Sequence, residues 1–384
     1  MRRAVPLRSS SVPTLARRSW AWVALALLAG GCADADPGGD RPHAVTPDPS
    51  TPSSTGTTPP TTPSTTETAP PAVEATEWEV RLDPDDMEPD LSAGSARLFL
   101  PTSTMPPRAV VVFLDYARGS DQYKSDDWRR FAAEEGIALA AVELFVAADG
   151  FPAFKQPVQA AHLLERMLDA LAEETGEPDV GCAPLVLWGH SAGAFTTSVV
   201  GAELRDRLAG HIGWHGSVHN SVYTPDNPIN AQVFHEDYLA VPALFVIGEH
   251  DLEHIRESTV AYHQVGRALG ARWSFALQAG AAHWDLPGST DLTLPWTSAM
   301  LAARLPTRTC DPLRPIPEAD GVGGLLLHYR IGDDDGLGQE VVSAAELLPT
   351  PFAIGEPGGT ESWLVDRAYA EAWLAAHLAM VPPG

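Results

Sequence analysis

Ser191 stands in Gly189-His190-Ser191-Ala192-Gly193, a Gly-x-Ser-x-Gly that closes the apolar run Ala183-Pro184-Leu185-Val186-Leu187-Trp188. A serine hydroxyl is a weak nucleophile until an imidazole takes its proton and a carboxylate orients that imidazole. Where such a pentapeptide links a strand to a helix, the serine sits on a strained turn with its hydroxyl raised above the sheet. Gly189 and Gly193 suit it because a side chain there would collide with neighbouring backbone. The competing reading is a glycine-flanked turn with an idle serine. An acid and a base follow in the order that this arrangement uses, Asp251 and then His283. Asp251 follows the apolar run Phe245-Val246-Ile247, and His283 ends the small-residue stretch Gly280-Ala281-Ala282. Asp251 is also a candidate helix N-cap, with Glu249 and Glu253 as nearby substitutes, and His283 as a merely exposed imidazole is the bland alternative.

A tetrahedral intermediate needs N–H donors for its oxyanion. The helix that opens after Ser191 offers the N–H of Ala192. The loop after the apolar run ending at Leu114 offers a second, from Tyr116 or, next, Ala117. Tyr116, His190, His215 and Trp284 are expected to line the substrate cleft, with core packing the equal alternative for Tyr116 and His215. His250 and His254 are four apart and could share a helix face as metal ligands, but no third ligand follows at metal spacing. Neither a metal nor a cofactor is expected. Trp188, Trp273, Trp363 and Trp373 read as core.

Buried-looking strands are expected at 108–114, 137–146, 184–188, around 212–215, at 241–247 and at 273–277, with edge-like alternation at 78–82 and 96–100. Helical spacing falls between them at 126–135, 157–174, 194–208, 255–269 and 294–304. Strands alternating with helices of that length predict an α/β fold, a mostly parallel sheet with helices on both faces. In such sheets functional groups gather at the carboxyl ends of strands, where Ser191, Asp251 and His283 all fall. Past Cys310 the pattern changes to a hairpin of 324–331 with 339–342 and a helix over 363–380, read as a small appendage packed on the main sheet. Residues 217–240 are few and contain Pro225 and Pro228, so no large inserted lid is expected there.

From 108 to 306 the chain resembles an α/β-hydrolase of the secreted, polyhydroxybutyrate-depolymerase-like and dienelactone-hydrolase-like kind. The residues that carry the resemblance are Gly189-His190-Ser191-Ala192-Gly193, Phe245-Val246-Ile247-Gly248-Glu249-His250-Asp251, and Gly266-Arg267-Ala268-Leu269-Gly270-Ala271 before the loop to His283. The resemblance implies a Ser191, Asp251 and His283 triad and ester hydrolysis without a cofactor. Asp115-Tyr116 stands where that family usually carries His-Gly in its oxyanion loop.

The front of the chain reads as an address. Arg2, Arg3, Arg8, Arg17 and Arg18 precede a short apolar run and Gly30-Gly31-Cys32. A basic region, a short apolar core and a cysteine after small residues resemble a bacterial lipoprotein signal over 1–32, with Cys32 lipidated. The alternative is an ordinary secretory signal cleaved nearby. Residues 33–76 are almost wholly Pro, Thr, Ser, Gly and acids, a tether with nothing to bury. The hydrolase domain is expected over 77–310 and the appendage over 311–384. Removing residues 1–31 takes away five arginines and no acid, so 20 basic side chains remain against 50 acidic ones. That balance argues against nucleic acid and anionic lipid as partners, and solubility alone explains it. With Cys32 lipidated, Cys182 and Cys310 remain as an even pair in an oxidising compartment. Topology carries both to the end of the sheet away from Ser191, so a disulfide is expected, two free thiols being the alternative.

The leading expectation is a monomeric serine esterase held to the cell envelope by its lipid, acting on polymeric or polysaccharide-borne esters. A serine peptidase or thioesterase is the rival within enzymes, and a hydrolase fold used only for binding is the rival outside them.

Overall fold

The computed structural model describes residues 73–82, 91–102, 106–114, 118–146, 156–218, 232–286, 288–316, 322–326, 328–331, 337–340 and 361–379. The chain separates into two units, Met1–Thr68 and Ala69–Gly384, and all of these residues belong to the second. Cys32, the leader, most of the linker, and 115–117 with Tyr116 lie outside the described residues, as does most of the interval expected to lack a lid.

Eight strands form the central sheet: β1 (Ala75–Leu82), β2 (Leu91–Pro101), β3 (Val110–Leu114), β4 (Ala138–Val146), β5 (Leu185–His190), β6 (Leu208–Trp214), β7 (Ala243–His250) and β8 (Trp273–Ala282). They lie in the order β1-β2-β4-β3-β5-β6-β7-β8. β1 and β2 pair antiparallel, and so do β2 and β4. From β4 to β8 every pairing is parallel. That order, with β2 reversed, is the sheet of an α/β-hydrolase.

β3, β5 and β6 are buried along their whole length, which is why they read as continuous apolar runs rather than as alternation. Side chains alternate between faces along each strand. Phe113 and Trp188 are register partners and so share a face, where Trp128, from the helix Asp126–Glu135, makes a T-shaped contact with Phe113, ring centroids 5.1 Å apart. Leu187 points to the opposite face, beside Gly201 of the helix Ala192–Glu203. Helices therefore cover both faces. The helix Pro157–Thr175 buries Leu163, Leu164, Met167, Leu168 and Leu171 on one stripe and stops at Gly176, left-handed with φ 72°.

Cys182 and Cys310 form the expected disulfide, with their Cα atoms 5.3 Å apart. It joins the chain just before β5 to the chain beyond the helix Ser289–Arg304.

The C-terminal region differs from the expectation. Trp363 and Leu364 belong to a strand, β12 (Glu361–Leu364), which pairs with β9 (Val322–Leu326), and the helix begins only at Arg367. The hairpin joins β10 (His328–Ile331) to β11 (Leu337–Glu340). The cause is the outer edge of β8, whose backbone groups need partners. Ser362 Oγ donates to Phe275 O at 3.1 Å and accepts from Phe275 N at 3.1 Å, and Trp373 Nε1 donates to Phe275 O at 2.9 Å. A helix starting at Trp363 would withdraw that cover. Among the described residues, no helix is long and apolar enough to cross a membrane.

Candidate active site

β5 ends at His190, the helix begins at Ala192, and Ser191 makes the corner between them with φ 56° and ψ −119°. A non-glycine residue is rarely found at positive φ, and here the packing requires it. A Cβ at Gly189 would lie 2.3 Å from the Gly193 carbonyl carbon, so the strand and helix approach too closely for any side chain. The Ser191 N–H is held by Trp214 O of β6 at 3.0 Å. Ala192, the first helical residue, contributes one of the N–H groups that a helix N-terminus leaves without an intrahelical partner.

His283 follows β8 and is 4 % exposed, and Asp251 follows β7 and is 5 % exposed. Ser191 Oγ and His283 Nε2 are 2.9 Å apart, and His283 Nδ1 and Asp251 Oδ1 are 2.6 Å apart. Asp251 Oδ1 also accepts the Leu252 N–H at 2.7 Å, and Oδ2 faces the Gly248 N–H at 3.4 Å. Three loops at the carboxyl ends of β5, β7 and β8 thus bring serine, imidazole and carboxylate into one hydrogen-bonded line. Glu249 is occupied elsewhere, accepting the Gly280 N–H at 2.7 Å, and the N-cap of the helix Glu253–Ala268 is Leu252 rather than Asp251.

His190 and His215 correct the sequence reading. Both are fully buried, so neither lines a cleft that substrate can enter. His190 Nε2 lies 2.7 Å and His215 Nδ1 lies 2.9 Å from the same atom, the main-chain carbonyl oxygen of His283. Burial pushes the His190 pKa down to about 4 and lowers that of His215, which keeps both rings neutral at pH 7. Position at a strand end could not tell an inward imidazole from an outward one.

Trp284 is the exposed one, at 58 %, with its ring centroid 4.9 Å from that of His283 and 5.4 Å from that of His190. Its carbonyl accepts from Arg118 Nη1 at 3.0 Å, and Arg118 Nε donates to Asp121. Arg118 was not singled out in the sequence; a basic residue beside the expected oxyanion loop of an acidic chain was the available signal. Leu252, next to Asp251, is likewise exposed.

Among the described residues, His190, His215 and His283 are the imidazoles with ring nitrogens within 4.8 Å of one another. His190 Nε2, both nitrogens of His215 and both of His283 already face hydrogen-bond partners, so the trio is not arranged as an open ligand set.

No family model matches the chain, and no curated protein does. Solved structures similar to it include the esterase PE8, at 19 % identity over 53 % of this chain and 97 % of that one, with a TM-score of 0.39. The poly(3-hydroxybutyrate) depolymerase LpqC from Bordetella parapertussis is 17 % identical over 61 % of this chain and 92 % of its own, with a TM-score of 0.42. A ferulic acid esterase is 13 % identical over 59 % of this chain and 99 % of its own, with a TM-score of 0.43. At these identities and scores the likenesses add nothing to what the strand order shows: the chain has the α/β-hydrolase fold.

Proposed function

We propose that the protein is a serine esterase that works through an acyl-enzyme. Ser191 Oγ attacks the ester carbonyl carbon as its proton passes to His283 Nε2, and Asp251 remains ionised beside the imidazolium. The Ala192 N–H faces the oxyanion, with the Tyr116 N–H as the expected second donor. Collapse breaks the acyl–oxygen bond, and the alcohol leaves with the proton from Nε2. Water then attacks the acyl carbon, giving its proton to His283, and Ser191 recovers its own as the acid departs.

The observation that carries this reading is the unbroken line from Ser191 Oγ through His283 to Asp251, at 2.9 and 2.6 Å. It is the geometry that base-assisted nucleophilic attack requires. The exposed Trp284 packs on His283 with ring centroids 4.9 Å apart, an apolar surface beside the base that favours bulky or polymeric esters over small polar ones. Anchoring through a lipid on Cys32, with residues 33–76 as the tether, would carry that surface to insoluble substrate outside the cell.

The test is a panel of p-nitrophenyl esters and insoluble polyesters, with Ser191→Ala as the control. Hydrolysis by the native chain that falls by about 10⁴-fold or more in the variant is the expected result. Equal hydrolysis by both refutes the proposal.

A further inference from the structure

We propose that His190 and His215 are positioning residues for His283, two neutral imidazoles that each give one N–H to its main-chain carbonyl and so hold its ring between Asp251 and Ser191. The inference rests on the reading of Ser191, His283 and Asp251 as a triad, and it assigns work to two side chains that the triad leaves unexplained.

A carbonyl oxygen only accepts, and it has two lone pairs. The His283 oxygen faces His190 Nε2 at 2.7 Å and His215 Nδ1 at 2.9 Å, so both nitrogens must carry hydrogen. That fixes the tautomers. His190 is protonated on Nε2, and its bare Nδ1 lies buried without a hydrogen-bond partner. His215 is protonated on Nδ1; its Nε2 lies 3.1 Å from the atom placed as Gln278 Oε1, so the neutral ring requires the Gln278 amide turned end for end, with its NH2 donating to Nε2. Their burial, which disfavours the imidazolium form, keeps each ring in that single-donor state.

The backbone is bent to serve this contact. His215 has φ 49°, and it is one of two non-glycine residues at positive φ among those described, the other being Ser191. At Gly216 a Cβ would lie 2.6 Å from Ser191 O, so the turn after β6 is pressed against the elbow itself. His190 is joined covalently to the nucleophile and hydrogen-bonded to the base, so the spacing of Ser191 and His283 is set through one residue. His215 Nδ1 also lies 3.7 Å from Asp251 Oδ2, so the ring sits beside the acid as well as the base. Because both rings are fully buried, they act on the base and not on substrate.

Long-range ¹⁵N–¹H NMR of the full chain reads the tautomers without any turnover. Protons on His190 Nε2 and His215 Nδ1 are expected, and a proton on the opposite nitrogen of either ring overturns the proposal. Kinetics on a short p-nitrophenyl ester then separate positioning from packing. His190→Leu and His215→Leu should lower kcat on the order of 10²-fold with KM nearly unchanged, and slow fluorophosphonate labelling equally. Rescue should be position-specific. The amide of His190→Gln reaches where Nε2 was, the amide of His215→Asn reaches where Nδ1 was, and asparagine tolerates positive φ. Recovery of most of kcat in these two variants supports the proposal. It is overturned if folded His190→Gln and His215→Asn are as slow as the leucine variants, or if KM rises while kcat stays. A native chain inert to esters and fluorophosphonates would instead sink the triad reading, with the tautomers still deciding the clamp.

Discussion

At the carboxyl ends of β5, β6, β7 and β8 the protein keeps two non-glycine positive-φ corners among the described residues, at Ser191 and His215, and buries Asp251, His190, His215 and His283. At the amino ends of the same strands the holding groups are of another kind. The Cys182–Cys310 bridge ties the approach to β5 to the chain beyond the helix Ser289–Arg304. Arg207 Nη2 donates to Gly181 O at 2.8 Å and to Ala183 O at 2.9 Å, and Arg304 Nη2 donates to Leu208 O at 3.2 Å. Backbone strain persists only where its surroundings over-determine it. With one end locked by a covalent bond and guanidinium–carbonyl contacts, the other can hold a strained turn in a single geometry. Changes at the carboxyl ends should therefore move turnover more than stability, and changes at the amino ends should do the reverse.

The largest effect is expected from Asp251→Asn, which keeps the shape of the site while removing the charge opposite the imidazolium. Turnover should fall by roughly 10³–10⁴-fold, with the melting temperature little changed. Steady-state kinetics beside a thermal melt checks this. A large loss of stability with modest loss of turnover would erase the contrast between the two ends.

Replacing Cys182 and Cys310 together by serine makes the opposite cut. The bridge spans a sequence separation of 128 residues. Closing a loop of that size restricts the unfolded chain by about 5 kcal/mol as an upper figure. Denaturant unfolding should shift by up to that amount, while ester turnover per folded molecule stays near the native value. A disulfide variant that is stable but inactive would show that the ends are not separable.

Acid should weaken the protein gradually. Burial pushes His211 and His263 down to about 3 and His190 down to about 4. Their folded pKa values lie below the unfolded value of about 6.5, so below that pH the unfolded chain binds protons that the folded chain refuses. The stability they contribute is complete above about pH 6.5 and is lost as the pH falls toward their folded values. Each such histidine adds about 1.4 kcal/mol per pH unit to the slope. Unfolding free energy measured from pH 7 to pH 4.5 checks the sign, and His211→Gln should give a shallower decline. A flat profile would contradict the burial of these rings.

Much of this was legible because the signals were strongly periodic or strictly ordered. Continuous apolar runs announce β3, β5 and β6, since a parallel strand buried on both faces cannot alternate. Ser191, Asp251 and His283 appear in the order that the fold brings together, each after a strand. Topology alone sent Cys182 and Cys310 to one end. What escaped was direction and competition. His190 and His215 stand at strand ends, and only packing decides that they turn inward to the His283 carbonyl. Trp363-Leu364 suits a helix or a strand equally by its apolar content, and the open edge of β8 decides for the strand. Arg118 is visible as a basic residue, but its bond to Trp284 O joins positions 166 apart, and nothing local foretells it.

The central claim is that Ser191 is the activated nucleophile of this corner. The most direct measurement treats the native chain with a fluorophosphonate probe and maps the adduct by mass spectrometry. A single covalent adduct on Ser191, abolished in Ser191→Ala and strongly slowed in Asp251→Asn, is the predicted result. An adduct on another serine, or labelling that persists undiminished in Ser191→Ala, would contradict it.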